Sequence, residues 1–213
     1  MKDMKKIINY LFAAIKKERI LLTFIIIIFI LGLVFGSLFI NFVSNDDKTM
    51  LINQVTSYFN NISKLSDSVF GIKAMLPEIV NNSLQLLLIF VLGISMIGLF
   101  AVIIIIFFKG FTIGVTLGTI LLKYKLKGVL ASVLYVAPCL VINTLIYIFM
   151  SFFALNAAIK FLKALFKKDS LNFKSFLGKY LLAFLTSLIL ISINTLIDSY
   201  LTPFLLKLFT FMT

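Results

Sequence analysis

The sequence predicts an all-α, polytopic integral membrane bundle of about five transmembrane helices, with amphipathic helices at the interfaces. Three observations predict it. Of the 213 residues 62% are hydrophobic, and mean hydropathy is +1.14, whereas a soluble domain is roughly 45–50% apolar. Several apolar runs reach the ~20 residues that cross a bilayer. The net charge of +12 comes mostly from lysines placed beside those runs, where they set topology and meet anionic lipid.

The whole chain, 1–213, reads as one transmembrane domain. Its longest polar connection, 44–82, is too short for a core of its own, because units below ~40 residues need disulfides or metals. Cys139 is the single cysteine, so no internal disulfide forms, and there is no histidine. That composition excludes His-based general base catalysis and the usual zinc sites. An intramembrane protease would need paired aspartates, Ser with His, or a metal motif, and Asp198 stands alone in its span. The expectation is a protein that is not an enzyme and takes no cofactor or metal. Nucleic acid is not expected as a partner; membrane lipids and other membrane proteins are.

Residues 1–19 carry Lys2, Lys5, Lys6, Lys16, Lys17 and Arg19, with Ile7, Ile8, Leu11, Phe12 and Ile15 on one helical face. This predicts a cytoplasmic interfacial helix. Span 1 covers about 20–43; its apolar core exceeds the 7–15 residues of a signal peptide. Gly32 and Gly36 form a GxxxG pair suited to helix contact.

Residues 44–82 mix Asp46, Asp47, Asp67 and Glu78 with Lys48, Lys64 and Lys73. Without a positive excess this segment belongs outside. Met50, Leu51, Val55, Tyr58, Phe59, Ile62 and Leu65 recur at helical spacing, so it reads as an extracytoplasmic helical loop. Pro77 is expected to start the next helix, where proline is tolerated.

Span 2 is expected over 84–108, ending inside at Lys109. Gly110, Gly114 and Gly118 then recur every fourth residue, with Thr112, Thr116 and Thr119 between them. Such spacing puts the glycines on nearly one helical face and lets another helix approach backbone to backbone. The segment 110–122 is short for a crossing, so it reads either as a short shielded helix or as re-entrant. Lys109 reads as a side chain snorkelling to the inner interface, or as an anion contact at a helix start.

The run 128–158 carries Tyr135, Pro138, Cys139, Asn143, Thr144 and Tyr147, read either as a packed kink or as a polar patch at mid-membrane, with a hairpin broken at Pro138 as the alternative to a single crossing. The six lysines at 160, 163, 167, 168, 174 and 179 place 159–179 inside as a basic cytoplasmic loop. Lys123, Lys125 and Lys127 are then outside, near headgroups. The last span covers about 180–197, and the apolar piece 204–212 is expected to rest at the outer interface. This puts the N-terminus in the cytoplasm and the C-terminus outside. The five-residue echo INTLI at 142–146 and 193–197 reads as chance in so biased a composition.

LGISMIG at 92–98, FFKGFTIGVTLG at 107–118, the Lys127-Gly128 pair, Pro138 and the ending Asp198-Ser-Tyr-Leu-Thr-Pro203 resemble the stage II sporulation protein M family. The likeness covers most of the chain. Where the family often has Pro-Gln-Asn, this chain has Pro138-Cys139-Leu140, with Asn143 further along. The resemblance implies a mother-cell membrane protein at the sporulation septum, acting in engulfment. It implies a scaffold that anchors two peptidoglycan-degrading partners, the stage II sporulation proteins D and P. The residues expected to carry helix packing or partner contact are Gly32, Gly36, Lys109, Gly110, Gly114, Gly118, Pro138 and Asn143. The glycine faces also leave a homo-oligomer open. The alternative is a small-molecule or lipid transporter or permease subunit, motivated by the short Gly/Thr segment, Lys109, the Pro138 kink and Asp198.

Overall fold

The structure, a computed structural model, describes residues 15–64, 67–95, 97–136, 138–167 and 173–212. The interfacial helix expected over 1–19 lies outside the described residues except at its end. Among the described residues the helices are, in order, α1 (Arg19–Phe39), α2 (Asn45–Lys64), α3 (Asp67–Ile94), α4 (Gly98–Val136), α5 (Pro138–Lys167) and α6 (Phe173–Met212). Among the described residues five stretches are long and apolar enough to cross a membrane: Arg19–Phe39, Met75–Ile94, Gly98–Lys125, Leu140–Ala164 and Phe176–Ser199. With five crossings, α2, the α4–α5 corner and the end of α6 share one face, here the far face. The start of α1, the α3–α4 turn, the end of α5 and the start of α6 share the other, the N-terminal face.

The middle of the chain is divided differently from the expectation. The turn between the second and third crossings comes near Ser95, held by Ser95 N–H to the Leu92 carbonyl (2.9 Å) and Gly98 N–H to the Ser95 carbonyl (3.1 Å). The expected span 84–108 and the short segment 110–122 are therefore wrongly bounded. Gly98–Lys125 is one crossing of 28 residues, about 42 Å at ~1.5 Å per residue. Segment 110–122 is neither isolated nor re-entrant; it is the second half of that crossing. The break falls instead at Lys125, whose φ of 51° and ψ of −126° interrupt α4.

Both flanking prolines also move. Pro77 lies inside α3 rather than at its start. Pro138 opens α5, in the first turn, where a missing N–H costs nothing, so it does not kink a span. The piece 204–212 continues α6 without interruption. On the far face, α2 begins at a Ser44 cap: the Ser44 hydroxyl oxygen accepts from Asp47 N–H (3.2 Å) and donates to the Asp47 carboxylate (2.6 Å). This reciprocal pairing ties the chain end to the first turn. α2 then packs against α4 and α6.

The most extensive helix pairing is α1 with α4. The two run parallel, because contacts advance together from Gly32 at Phe107 to Gly36 at Phe111. Glycines meet from both sides. A Cβ on Gly32 or Gly36 would overlap the carbonyl oxygen of Phe107 or Phe111. A Cβ on Gly110 or Gly114 would overlap the carbonyl oxygen of Phe29 or Leu33. Further along the seam, one on Gly118 would stand 3.1 Å from the Ser37 oxygen. The backbones therefore touch, and Phe rings close the edges, Phe39 against Phe111 at 5.3 Å. α5 is the central helix, with Met150, Phe152, Ala154, Leu155 and Ala158 buried.

The seam generates a graded prediction. Gly114→Ala places its methyl against backbone that cannot rotate away, so thermal unfolding in detergent will show a loss of about 1–3 kcal/mol. Gly178, with nothing within 4 Å of a Cβ, serves as the reference. Gly178→Ala is expected to hold or raise the midpoint, since alanine is favoured in helices by ~1 kcal/mol.

Candidate functional site: a polar column at mid-membrane

On α3 the residues Glu78, Asn82 and Gln85 fall at i, i+4 and i+7, one face of the helix. The lower part of that face looks into the bundle: Asn82 is 5% exposed and Gln85 half-buried, while Glu78 is exposed. The Asn82 Nδ2 donates to Thr195 Oγ1 at 3.2 Å. The Tyr147 hydroxyl donates to Asn82 Oδ1 at 3.2 Å, with the Asn82 carbonyl at 3.3 Å. Thr195 donates in turn to the Ile191 carbonyl at 2.8 Å. Three helices, α3, α5 and α6, thus share one closed set of donors and acceptors, which is what a polar group in hydrocarbon requires.

One turn deeper the column reaches Lys109. Its Nζ donates to Gln85 Oε1 at 2.9 Å and stands 4.1 Å from the centroid of the Tyr147 ring. The ammonium therefore has an amide oxygen on one side and an aromatic face on the other. Gln85 lies midway between Met75 and Ile94, and Lys109 lies well inside Gly98–Lys125. Lys109 is thus not at a membrane boundary and does not snorkel to the inner interface, nor does it begin a helix. Toward the far face, Glu78 lies within electrostatic range of both Lys109 and Asp198. The column runs from two carboxylates near one surface to one ammonium at mid-membrane.

The expected packing residues fall into two groups that α4 joins. Gly32, Gly36, Gly110, Gly114 and Gly118 line the α1–α4 seam, and Lys109, beside Gly110 in sequence, reaches the column. Asn143 sits one turn before Tyr147 on α5 and Ser151 one turn after it, all on one face. Among the described residues, Asn143 Oδ1 and Ser151 Oγ are buried without a hydrogen-bond partner. Pro138 stands apart from both groups at the start of α5. The sequence places Tyr147 in the polar set of 128–158 and Glu78 among the loop charges of 44–82; Asn82, Gln85 and Thr195 are not singled out from it, although the i, i+4, i+7 stripe on α3 is a readable signal.

Near Gly93, α3 presses against Ala154 of α5, and Tyr180 of α6 donates to the Phe90 carbonyl at 2.8 Å. Phe90 also stacks on Tyr180 and Phe184 at 4.7 and 4.4 Å. A separate apolar cleft of about 360 Å³ opens between α1, α4 and α5, lined by residues such as Phe29, Leu117 and Ile148. Among the described residues no three His, Cys, Asp or Glu side chains gather. The column's chemistry is charge holding and helix joining.

Against known families, the model of the stage II sporulation protein M family matches residues 25–203. That stretch contains the whole glycine seam and the whole polar column. The chain belongs to the stage II sporulation protein M family. No curated protein sequence and no solved structure gives a match. Family membership makes this multi-pass chain a sporulation membrane protein.

The Lys109–Gln85 pair predicts an asymmetry. Lys109→Met leaves a neutral amide without its partner, costing about 1–3 kcal/mol. Gln85→Leu strands a charge in hydrocarbon, costing about 3–5 kcal/mol. In thermal unfolding of the purified protein, Gln85→Leu is expected to fall further than Lys109→Met. The double variant, which leaves neither a charge nor an amide unpaired, should recover above the level of Lys109→Met alone. Equal losses in the two single variants would mean that Lys109 is solvated from outside the bundle.

Proposed function

We propose that this protein is a non-enzymatic scaffold of the sporulation engulfment machinery, holding peptidoglycan-degrading partners at the mother-cell septal membrane. The observation that carries the reading is the family match over 25–203. The architecture supports it. The α1–α4 glycine seam and the polar column lock the spans together from inside. The Ser44-capped α2 then supplies an ordered surface on the far face, with Met50 60% exposed. In this reading the far face is extracytoplasmic and meets the wall, while the lysine-rich N-terminal face is cytoplasmic. The partners are the stage II sporulation proteins D and P.

A second reading is a transporter or permease subunit, favoured by Lys109 at mid-span. Intramembrane ionisable groups commonly mark substrate or ion paths. The two readings separate in one variant. In the scaffold reading, Lys109→Met affects sporulation only as far as it reduces folded protein. In the transport reading, it abolishes function while partners are still recovered.

Two measurements test the proposal. Affinity purification of the tagged protein from sporulating cells is expected to recover peptidoglycan-degrading proteins; recovery of none removes the scaffold reading. With Cys139→Ser as background, single cysteines at Asn60, Lys125 and Ser170 report topology in intact cells. Labelling of Asn60 and Lys125 with protection of Ser170 is the expected pattern, and the reverse pattern would turn the far face toward the cytoplasm.

A further inference from the structure

Gln85 and Lys109 join two consecutive antiparallel crossings, and both side chains are half-buried rather than enclosed. Their neighbours show why. On α3, Asn82 and Ile89 flank Gln85 on one side and are buried, while Asn81 and Leu88 flank it on the other and are exposed. On α4, Ile106 and Gly110 lie on the buried side of Lys109, and Phe108 and Thr112 on the exposed side. Helical spacing puts both exposed sets on the same side of the line that joins the two helices. The pair is therefore the floor of a groove between α3 and α4 that opens sideways to hydrocarbon, with the Tyr147 ring beneath.

That groove is charged at a depth where a lipid tail offers no partner. Lys109 lies eleven residues after Gly98 and sixteen before Lys125, about 16 and 24 Å from the two ends of its crossing. A lipid phosphate rests at neither depth. The Gln85 amide oxygen and the Tyr147 ring are both uncharged, and an ammonium has three N–H donors to place. Glu78, on the same face of α3, stands two turns from Gln85 toward the far face and is exposed. One turn from the pair, in the same direction, Asn81 and Thr112 occupy the two rims of the groove at one level. The Thr112 hydroxyl donates back to the Lys109 carbonyl at 3.0 Å. Its rim is thus small and satisfied within its own helix, a surface that lets another helix come close. Asn81, on the other rim, carries an amide that both donates and accepts.

We propose that the α3–α4 groove seats a transmembrane helix of a partner protein that carries one aspartate or glutamate at mid-span, with its carboxylate on Lys109 Nζ. A carboxylate reaches this depth only when an apolar helix carries it there, and it then needs a cation as Lys109 needs an anion. Pairing merges two costly intramembrane charges into one neutral, hydrogen-bonded set with Gln85. Thr112 lets the backbone of the incoming helix approach, and Asn81 meets its polar groups. The site is a property of α3 and α4 and stands whether the chain is a scaffold or a permease subunit.

Binding of fluorescent single-span peptides to the full chain in bicelles tests this. Three polyleucine peptides differ only at the central residue, which is aspartate, asparagine or leucine. The aspartate peptide is expected to bind saturably and about tenfold more tightly than the asparagine peptide, because charge-assisted hydrogen bonds are the stronger class. The leucine peptide is expected not to saturate. Lys109→Met should remove the preference for aspartate. If that variant does not fold, Thr112→Trp puts a bulky ring on an exposed rim and leaves Lys109 in place. It is expected to weaken binding of the aspartate peptide about tenfold. Ile189→Trp on α6, at a position 61% exposed, should leave binding unchanged. Equal binding of the asparagine peptide would overturn the charge pairing, and equal binding of the leucine peptide would make the groove an ordinary lipid-facing surface. Undiminished aspartate binding in Lys109→Met or in Thr112→Trp would overturn the site. Self-association of the chain that Thr112→Trp abolishes would give the groove to a second copy and overturn the partner.

Discussion

An ammonium group halfway across hydrocarbon must find its solvation inside the protein. Lys109 meets that demand with the Gln85 amide oxygen and the Tyr147 ring, and each of these has requirements of its own. Tyr147 needs an acceptor for its hydroxyl and finds Asn82; Asn82 then needs an acceptor for its amide and finds Thr195. One charge on α4 thereby fixes the rotation of α3, α5 and α6 about their axes. Apolar contacts alone specify rotation weakly, because lipid tails and leucine side chains are interchangeable neighbours.

The glycine seam solves the complementary problem for α1. This helix brings no hydrogen-bonding side chain to the column among the described contacts, and its attachment rests on shape. Removing side chains from both partners brings the two backbones into van der Waals contact, the form of helix association that works without a hydrophobic drive. α4 is the common member, with glycines toward α1 and Lys109 toward the column. Three spans are thus held by polar links and one by close approach, and both meet on a single helix.

The number of crossings, the all-helical class and the two glycine faces could be read from sequence, because apolar run length and four-residue spacing are local signals. The boundaries around Lys109 could not. A lysine after a long apolar run ordinarily marks the membrane edge. Its acceptors lie 24 and 38 positions away along the chain, so no window near Lys109 shows that it is solvated internally. The real turn hides in LGISMIG, apolar throughout except for Ser95 and small at Gly93 and Gly98. Pro138 misled in the same way: in sequence it interrupts the apolar run 128–158, while in the fold it stands where a helix begins. The match between the Gly32–Gly36 pair and the Gly110–Gly118 row is likewise a fact about two distant segments. What the spacing establishes is that each face is small, and only packing says which face meets which.

The position of Lys109 bears on how the chain enters the bilayer during synthesis. An isolated apolar helix with a lysine near its centre partitions from the translocation machinery into lipid less readily, by roughly 2.5–3.5 kcal/mol. Two features of α4 offset this. The run from Ala101 to Phe108 just before Lys109 is wholly apolar. Gln85 and the glycines of α1 also precede Lys109 in the chain, so they emerge from the ribosome first. Tyr147 and Thr195 follow later. The order of residues therefore allows a first intermediate of α1, α3 and α4 in which the charge already has an oxygen partner, with α5 and α6 completing its enclosure as they arrive.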